Sequence, residues 1–172
     1  NALNGAITMS NGAQSISGNG NIRYHASSNM ILGGLNASVG SISLVVENGS
    51  ISDADGALAN LIASAVRIET AGGVGAQTDA IETALGVIAI DAGSDVYLAE
   101  SNEITIGTVG SVDANRVQAD ASAITIGDAA NLVGINAPGS LASLSAGGGI
   151  TVADPITLND LSLNTSAGDV TL

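Results

Sequence analysis

The chain has 172 residues and a formal net charge of −13 at pH 7, with three arginines, no lysine and no cysteine. Binding to nucleic acid or to an anionic membrane surface needs clustered Lys and Arg side chains, and a disulfide framework needs cysteine, so this composition excludes all three. Hydrophobic residues make up 45% of the chain but aromatic residues only 1%, so the interior must consist of small aliphatic side chains.

Short segments that alternate apolar and polar residues recur along the chain, and clusters of Gly, Asn, Asp and Ser separate them. They predict β-strands at Ala6–Met9, Asn21–Tyr24, Asn29–Leu32, Ser41–Val46, Ala65–Thr70, Val87–Asp91, Asp95–Ala99, Glu103–Gly107, Arg116–Ala119, Ala123–Gly127, Leu132–Asn136, Leu141–Ser145, Gly149–Val152, Ile156–Asn159, Leu161–Asn164 and Asp169–Leu172. Asp55–Ala65 and Thr78–Leu85 are candidates for short helices, but we interpret both as broad turns or single helical turns that bulge from the stack.

A period near twenty residues organises these strands. Glu103–Gly107 (EITIG) returns as Ala123–Gly127 (AITIG), and Gly148–Val152 (GGITV) returns as Gly168–Leu172 (GDVTL), each twenty positions later. A short strand plus turn residues at such a period is typical of stacked coils. We therefore predict an all-β fold, a parallel β-helix (β-solenoid) with coils of about 20 residues, which forms a rod about 40 Å long from eight or nine coils.

An immunoglobulin-like sandwich is the competing all-β solution, because it has a similar number of strands. Such sandwiches use aromatic anchors in the core, and this chain has two tyrosines, no Phe and no Trp. The composition therefore favours the solenoid. No Pro-rich or charged linker interrupts the pattern, so residues 1–172 are predicted to be a single solenoid segment, interpreted as a fragment of a longer repeat protein.

Residues 66–112 contain a GG-x-G segment, an I-E-T triplet and then a Y-L-x-E … T-I-G-x-V segment. In these motifs the chain resembles the repeats of large bacterial surface adhesins of the filamentous-haemagglutinin type. The matching positions are Gly72, Gly73, Gly75, Ile81, Glu82, Thr83, Asp95, Tyr97, Leu98, Glu100, Thr105, Ile106, Gly107 and Val109. Ala167–Leu172 (AGDVTL) also resembles a recurrent phrase of that family. The resemblance, which covers a quarter to a third of the chain, implies a right-handed parallel β-helix, secretion and an extended stalk, but no catalytic site.

Calcium is the first ligand that the residues suggest. Residues 72–77 (GGVGAQ) begin like a calcium-binding nonapeptide, but Gln77 stands where the ligand Asp belongs. Residues 52–56 (SDADG) resemble part of a calcium loop without its downstream ligands. We interpret both as solvated turns, and we predict no metal site and no cofactor.

Catalytic residues are sparse. The single histidine, His25, has no nucleophile or base beside it in the sequence. Two carboxylate pairs, Asp91 with Asp95 and Glu100 with Glu103, are candidates for polysaccharide cleavage, although their spacing in strand-turn regions does not fix their separation. An ice-binding array would need regular outward threonines, and Thr105, Thr125 and Thr151 are too few for one. We therefore predict that the chain is not an enzyme.

These observations lead to one favoured function and two alternatives. The favoured function is a structural stalk or filament segment of a giant secreted adhesin at the bacterial cell surface. Its predicted partners are neighbouring segments of the same polypeptide or filament, and host or cell-surface glycans or proteins. One alternative is a polysaccharide-binding or polysaccharide-cleaving β-helix, and the other is a calcium-dependent adhesin module.

Overall fold

The computed structural model describes residues 1–172 and contains strands but no helix. None of its elements is thus a helix long and apolar enough to cross a membrane. The first strands are Ile7–Thr8 (β1), Gln14–Ile16 (β2), Ile22–Ala26 (β3), Met30–Leu32 (β4), Gly34–Asn36 (β5), Ser41–Val46 (β6), Ile51–Asp53 (β7), Leu61–Thr70 (β8) and Ile81–Ala92 (β9). The remaining strands are Val96–Glu100 (β10), Ile104–Ile106 (β11), Thr108–Val109 (β12), Ala114–Val117 (β13), Ala123–Ile126 (β14), Leu132–Val133 (β15), Ile135–Ala146 (β16), Ile150–Val152 (β17), Ile156–Thr165 (β18) and Val170–Thr171 (β19).

The strands form a β-solenoid of about eight turns, with a coil spacing of about 22 residues. A typical coil contributes one strand to each of three parallel ladders, and each strand pairs with its equivalents in the neighbouring coils. At the ordinary spacing of about 4.8 Å between strands, eight coils make a rod about 38 Å long. The predicted all-β parallel solenoid is confirmed, with coils slightly longer than twenty residues.

Equivalent side chains stack along the inside of each ladder. The first ladder stacks Ile22, Ile42, Val66, Ile88, Ile106 and Val152, the second stacks Met30, Ile51, Val74, Val96 and Ala142, and the third stacks Leu35, Leu61, Thr83, Glu100 and Ala146. Most of them belong to one core of 30 buried residues, built only from Ala, Val, Ile, Leu and Met. Because each rung repeats the shape of the rung below it, small aliphatic side chains fill this interior without aromatic bulk.

Neither helix candidate is a helix. Residues 55–60 form bends ahead of β8, and β9 begins at Ile81, within the second candidate. Ile81, Thr83 and Leu85 are all buried, which is the alternation of a strand with one face inside. Ile81 and Leu85 share a face because residues four apart do so in a strand as well as in a helix. Since residues 83–85 pair with β8 as part of the stack, the interpretation of the second candidate as a bulging turn is wrong.

Asparagine side chains join successive coils at the corners. The Asn29 side-chain carbonyl accepts a hydrogen bond from the Ser50 backbone amide at 3.0 Å. Asn60 is fully buried, and its side-chain carbonyl accepts a hydrogen bond from the Glu82 amide at 3.0 Å. These bonds pair backbone donors at the corners, where the ladders are interrupted.

Both ends of the stack are open. In the first coil β1 and β2 pair on one side only, and in the last coil β18 and β19 do the same. Apolar side chains are exposed there: Ile16 is 66% exposed, and Leu161 is 46% exposed although its register partner Ala142 is buried. An unpaired strand edge with apolar side chains beside it is a template for a further strand.

Candidate functional site

Residues 108–134, which we call the insertion, leave the coil stack in the middle of one rung of the first ladder. The end of β11 pairs with residues 87–88 of β9, and the start of β16 pairs with residues 90–91 of the same strand. The two ends of the insertion meet at Gly107 and Gly134, where the Gly134 amide donates to the Gly107 carbonyl at 3.0 Å. One rung of the stack is therefore built from two distant pieces of the chain.

Glycine is required where the chain returns to the stack. Gly134 has a φ of 62°, in the left-handed region that favours glycine. A Cβ atom at this position would also overlap the backbone carbonyl of Pro155 in the next coil. The position therefore combines a conformational and a steric demand that no other residue meets.

The insertion is antiparallel, unlike the stack from which it departs. β12 pairs with β15 to form its base, and β13 pairs with β14 to form a hairpin. In the hairpin turn, the Asp120 carboxylate accepts hydrogen bonds from the Ser122 hydroxyl at 2.6 Å and from the Ser122 amide at 3.0 Å. These bonds lower the pKa of Asp120, because they favour the charged carboxylate.

The prediction that Ala123–Gly127 is a rung like Glu103–Gly107 is wrong. Ile104 and Ile106 are buried in the stack, whereas Ile124 is 39% exposed in the hairpin and pairs antiparallel with Arg116. The other recurrence is confirmed, because Ile150 pairs in parallel with Val170. Alternation of apolar residues identifies a strand, but it does not identify the strand's partner.

The insertion folds back over the outside of the first ladder. The outward residues at one register position of this ladder are Arg23, Ser43, Arg67 and Ala89. Ser43 and Ala89 are fully buried although they point away from the core, and Val109 and Val112 of the insertion are buried as well. The insertion therefore covers this face and adds a small apolar contact outside the main core.

Asp128 is the polar centre of this contact. One carboxylate oxygen accepts hydrogen bonds from Arg23 Nε and from the Ser43 hydroxyl, both at 2.9 Å. The other oxygen accepts from the Val112 amide at 3.1 Å and lies 3.4 Å from Arg67 Nε. The Asp128 side chain is only 2% exposed, so these pairs are shielded from water and from salt.

Arg67 links the insertion to the ladder at a second point. Its guanidinium donates hydrogen bonds to the Ala130 carbonyl of the insertion and to the Glu69 carboxylate on its own strand. Burial lowers the pKa of Arg67, Asp128 opposes this effect, and the charge of Arg23 adds to it. The ordinary pKa of Arg is high enough that Arg67 keeps its charge, so the insertion is held by the buried Arg67 and the largely buried Arg23 around one carboxylate.

The calcium-loop candidate, residues 52–56, lies at an acidic corner. The Asn60 amide nitrogen donates hydrogen bonds to Asp53 at 2.6 Å and to Asp55 at 3.3 Å. Burial raises the pKa of Asp53, but hydrogen bonds from Asp55 and Asn60 outweigh burial, so the pKa of Asp53 is lowered. The pKa of Asp55 is raised by burial and by the neighbouring Asp53. No group of three or more His, Cys, Asp or Glu side chains is arranged to hold a metal ion.

Asp91 and Asp95, the first candidate catalytic pair, and His25 each contact a residue of another coil. Asp91 accepts a hydrogen bond from the Asn136 amide group at 2.8 Å, and Asp95 accepts one from the Leu141 backbone amide at 2.9 Å. His25 lies 2.9 Å from the Glu47 carboxylate at the surface. Each of these side chains therefore has a partner in another coil.

Glu100 differs from the exposed Glu103 with which it was paired in the sequence. Its carboxylate is 4% exposed and accepts hydrogen bonds from the Thr83 hydroxyl at 2.8 Å and from the Leu85 and Asn102 amides, both at 3.1 Å. A carboxylate with this many donors is a structural acceptor inside the third ladder, so the candidate pair with Glu103 is wrong.

The threonines form a short row on the first ladder. Thr105, Thr151 and Thr171 are in register in three successive coils. Thr125 lies in the insertion hairpin, outside this row. Three threonines in one file do not make the flat array that ice binding requires.

The residues that hold the insertion were not identified from the sequence. A signal was present, because Arg23 and Arg67 are two of only three arginines and both occupy outward positions between apolar neighbours in a predicted strand. Buried positions of this kind need a counter-charge, and Asp128 supplies it from a distant part of the chain.

Comparison of this chain with protein-family models, with curated proteins and with solved structures finds no significant match.

Proposed function

We propose that this chain is a structural stalk or filament segment of a giant secreted bacterial adhesin, which extends and displays binding regions at the cell surface. The observation that supports this function is the stack of parallel aliphatic rungs whose first and last coils both carry unpaired strand edges. In such a stack each coil contacts only its neighbours, so length is added by adding coils.

The proposed partners follow from the same feature. The exposed Leu161 on the last coil, whose register partner Ala142 is buried, suits contact with a neighbouring segment of the same polypeptide or filament. The adhesin resemblance supports two further parts of the proposal: host or cell-surface glycans or proteins as partners, and a location outside the bacterial cell. The insertion gives the rod a lateral feature of the kind that display requires.

Tandem copies of the chain, joined end to end and examined by electron microscopy, test the stalk. Three stacked copies should form one continuous rod about 115 Å long, because each adds about 38 Å. In a matched triple copy carrying Leu161→Lys, a charge at the inward register position of each junction should break the rod into separate units. Three separate units in the unsubstituted protein would contradict the proposal.

A polysaccharide-binding or polysaccharide-cleaving β-helix is the second candidate. It is favoured by an open groove of about 440 Å³ in which Glu69 and Asp91 lie opposite each other on adjacent rungs. Retaining glycosidases hold two carboxylates about 5 Å apart, close to the spacing of adjacent rungs. A reducing-sugar assay on neutral and acidic glycans, with Asp91→Asn as the matched variant, tests this function; glycan cleavage lost in the variant would establish it.

A further inference from the structure

All three arginines of this acidic protein lie where the insertion meets the first ladder. Arg23 and Arg67 lie on the ladder, and Arg116 lies on strand β13 of the hairpin. A cavity of about 120 Å³ separates the hairpin from the ladder, and both Arg23 and Arg116 line it, together with Asn1, Ala114, Asn115 and Ile126. Two guanidinium groups thus border one small cavity in a chain of net charge −13.

Arg23 has unused hydrogen-bonding capacity. Its side chain is 10% exposed, and its Nε donates to Asp128 at 2.9 Å. Its Nη1 atom is buried and has no hydrogen-bond partner. A buried donor without a partner is costly, and a small shift of the Arg23 side chain towards the adjoining cavity would let an acceptor held there remove that cost.

Arg116 supplies a charge that no neighbour balances. Asp128 pairs with Arg23 and Glu69 pairs with Arg67, whereas Arg116 belongs to no ion pair. Asp113 and Asp120, the other carboxylates of the insertion, do not line the cavity. The Arg116 side chain therefore lies at the cavity without a paired carboxylate.

We propose that this cavity, which we call the arginine cavity, binds the carboxylate group of an acidic ligand. A planar carboxylate matches the fork of a guanidinium group and fits a space of this size. The bound carboxylate belongs either to a free organic acid or to an acidic sugar whose ring stays outside the arginine cavity. The site does not depend on the stalk function, because it rests only on the insertion and the first ladder.

Nuclear magnetic resonance of the full chain tests the site directly. With three arginines and no lysine, the arginine Nε–Hε region of the spectrum should contain three signals, one of which reports on Arg116. The chain is titrated with acetate, with D-glucuronate, with D-glucose as the neutral counterpart, and with phosphate, at constant ionic strength. We expect acetate and glucuronate to shift the Arg23 and Arg116 signals saturably, and glucose to leave them unchanged. A tighter response to glucuronate than to acetate would identify a sugar acid as the source.

Variants separate the arginine cavity from general electrostatics. Arg116→Gln should raise the dissociation constant for the carboxylate by about tenfold, because a charge-assisted contact is lost. Arg116 is exposed and unpaired, so this variant keeps the fold, which the unchanged Arg67 signal verifies. Asn164→Asp changes the net charge by the same amount on the exposed last coil and should leave the affinity unchanged. Absence of saturable shifts, an equal response to glucose, tighter binding of phosphate, or unaltered affinity in Arg116→Gln would each overturn the proposal.

Discussion

Replacing Asp128 with alanine should release the insertion from the rod while leaving the coil stack folded. The substitution removes the acceptor of Arg23, Ser43 and the Val112 amide, and it leaves the buried Arg67 and the largely buried Arg23 without their shared carboxylate. Breaking a buried ion pair by removing one partner costs about 3–5 kcal/mol. Because the insertion can swing away and let water reach both arginines, this cost should appear as local opening of the insertion rather than as global unfolding.

Hydrogen exchange at the Val112 amide measures this opening. A loss of about 3 kcal/mol corresponds to an increase of about 100-fold in the open population, and thus in the exchange rate of this amide. Asp128→Asn should give a smaller increase, since its side-chain oxygen still accepts hydrogen bonds. Asp160→Ala, which removes an equal charge from an exposed site, is the control. Exchange in Asp128→Ala within about threefold of the wild-type rate would refute the role assigned to this carboxylate.

Three further predictions concern the stack itself. Gly134→Ala should lower the free energy of unfolding in urea by about 3 kcal/mol, since left-handed strain of about 1–2 kcal/mol adds to the clash with Pro155. Gly139→Ala, with positive φ but open space around it, should lower this free energy only by the strain, and equal losses in the two variants would contradict the steric argument. Glu100→Ala should lower the same free energy by about 2–4 kcal/mol because two backbone amides lose their acceptor, whereas the exposed Glu103→Ala should change it by less than about 0.5 kcal/mol. Burial, helped by nearby aspartates, raises the pKa of Glu82 above its ordinary 4.5, so the charged form of Glu82 opposes folding and stability falls as the pH rises through the folded-state pKa. Glu82→Gln should therefore raise the melting temperature at pH 7, with a gain that vanishes below about pH 4, and a gain independent of pH would contradict this cause.

The coil architecture could be predicted from the sequence because it depends on local and repetitive features. Alternation assigns Ile104 and Ile106 to the inside of the stack, and recurrence after twenty residues assigns Ile150 and Val170 to adjacent rungs. The absence of aromatic bulk is explained by a narrow interior in which every rung has the same shape. These features act within one coil or between neighbouring coils, and the sequence displays them directly.

The insertion could not be predicted in the same way because its contacts are not local. The step from Ile106 to its partner Val152 spans more than two ordinary coils, and the AITIG phrase inside it imitates a rung. The pairing of Asp128 with Arg23 and Arg67 joins positions far apart in the chain, and no periodicity connects them. A local pattern specifies which way a side chain points, but the residue that covers it is determined by the three-dimensional path of the backbone.

The hydrogen bond between Gly107 and Gly134 has a consequence for how such a protein can change. The chain leaves the stack at Gly107 and returns at Gly134, and these two residues are hydrogen-bonded to each other. The rung at this junction is therefore almost uninterrupted. Any folded module whose own termini lie side by side could be grafted at this point with little loop-closure cost and without altering the pitch of the coils. The coil stack and the insertion are in this sense separable parts of the chain, because the folded module at this junction can change while the stack keeps its structure.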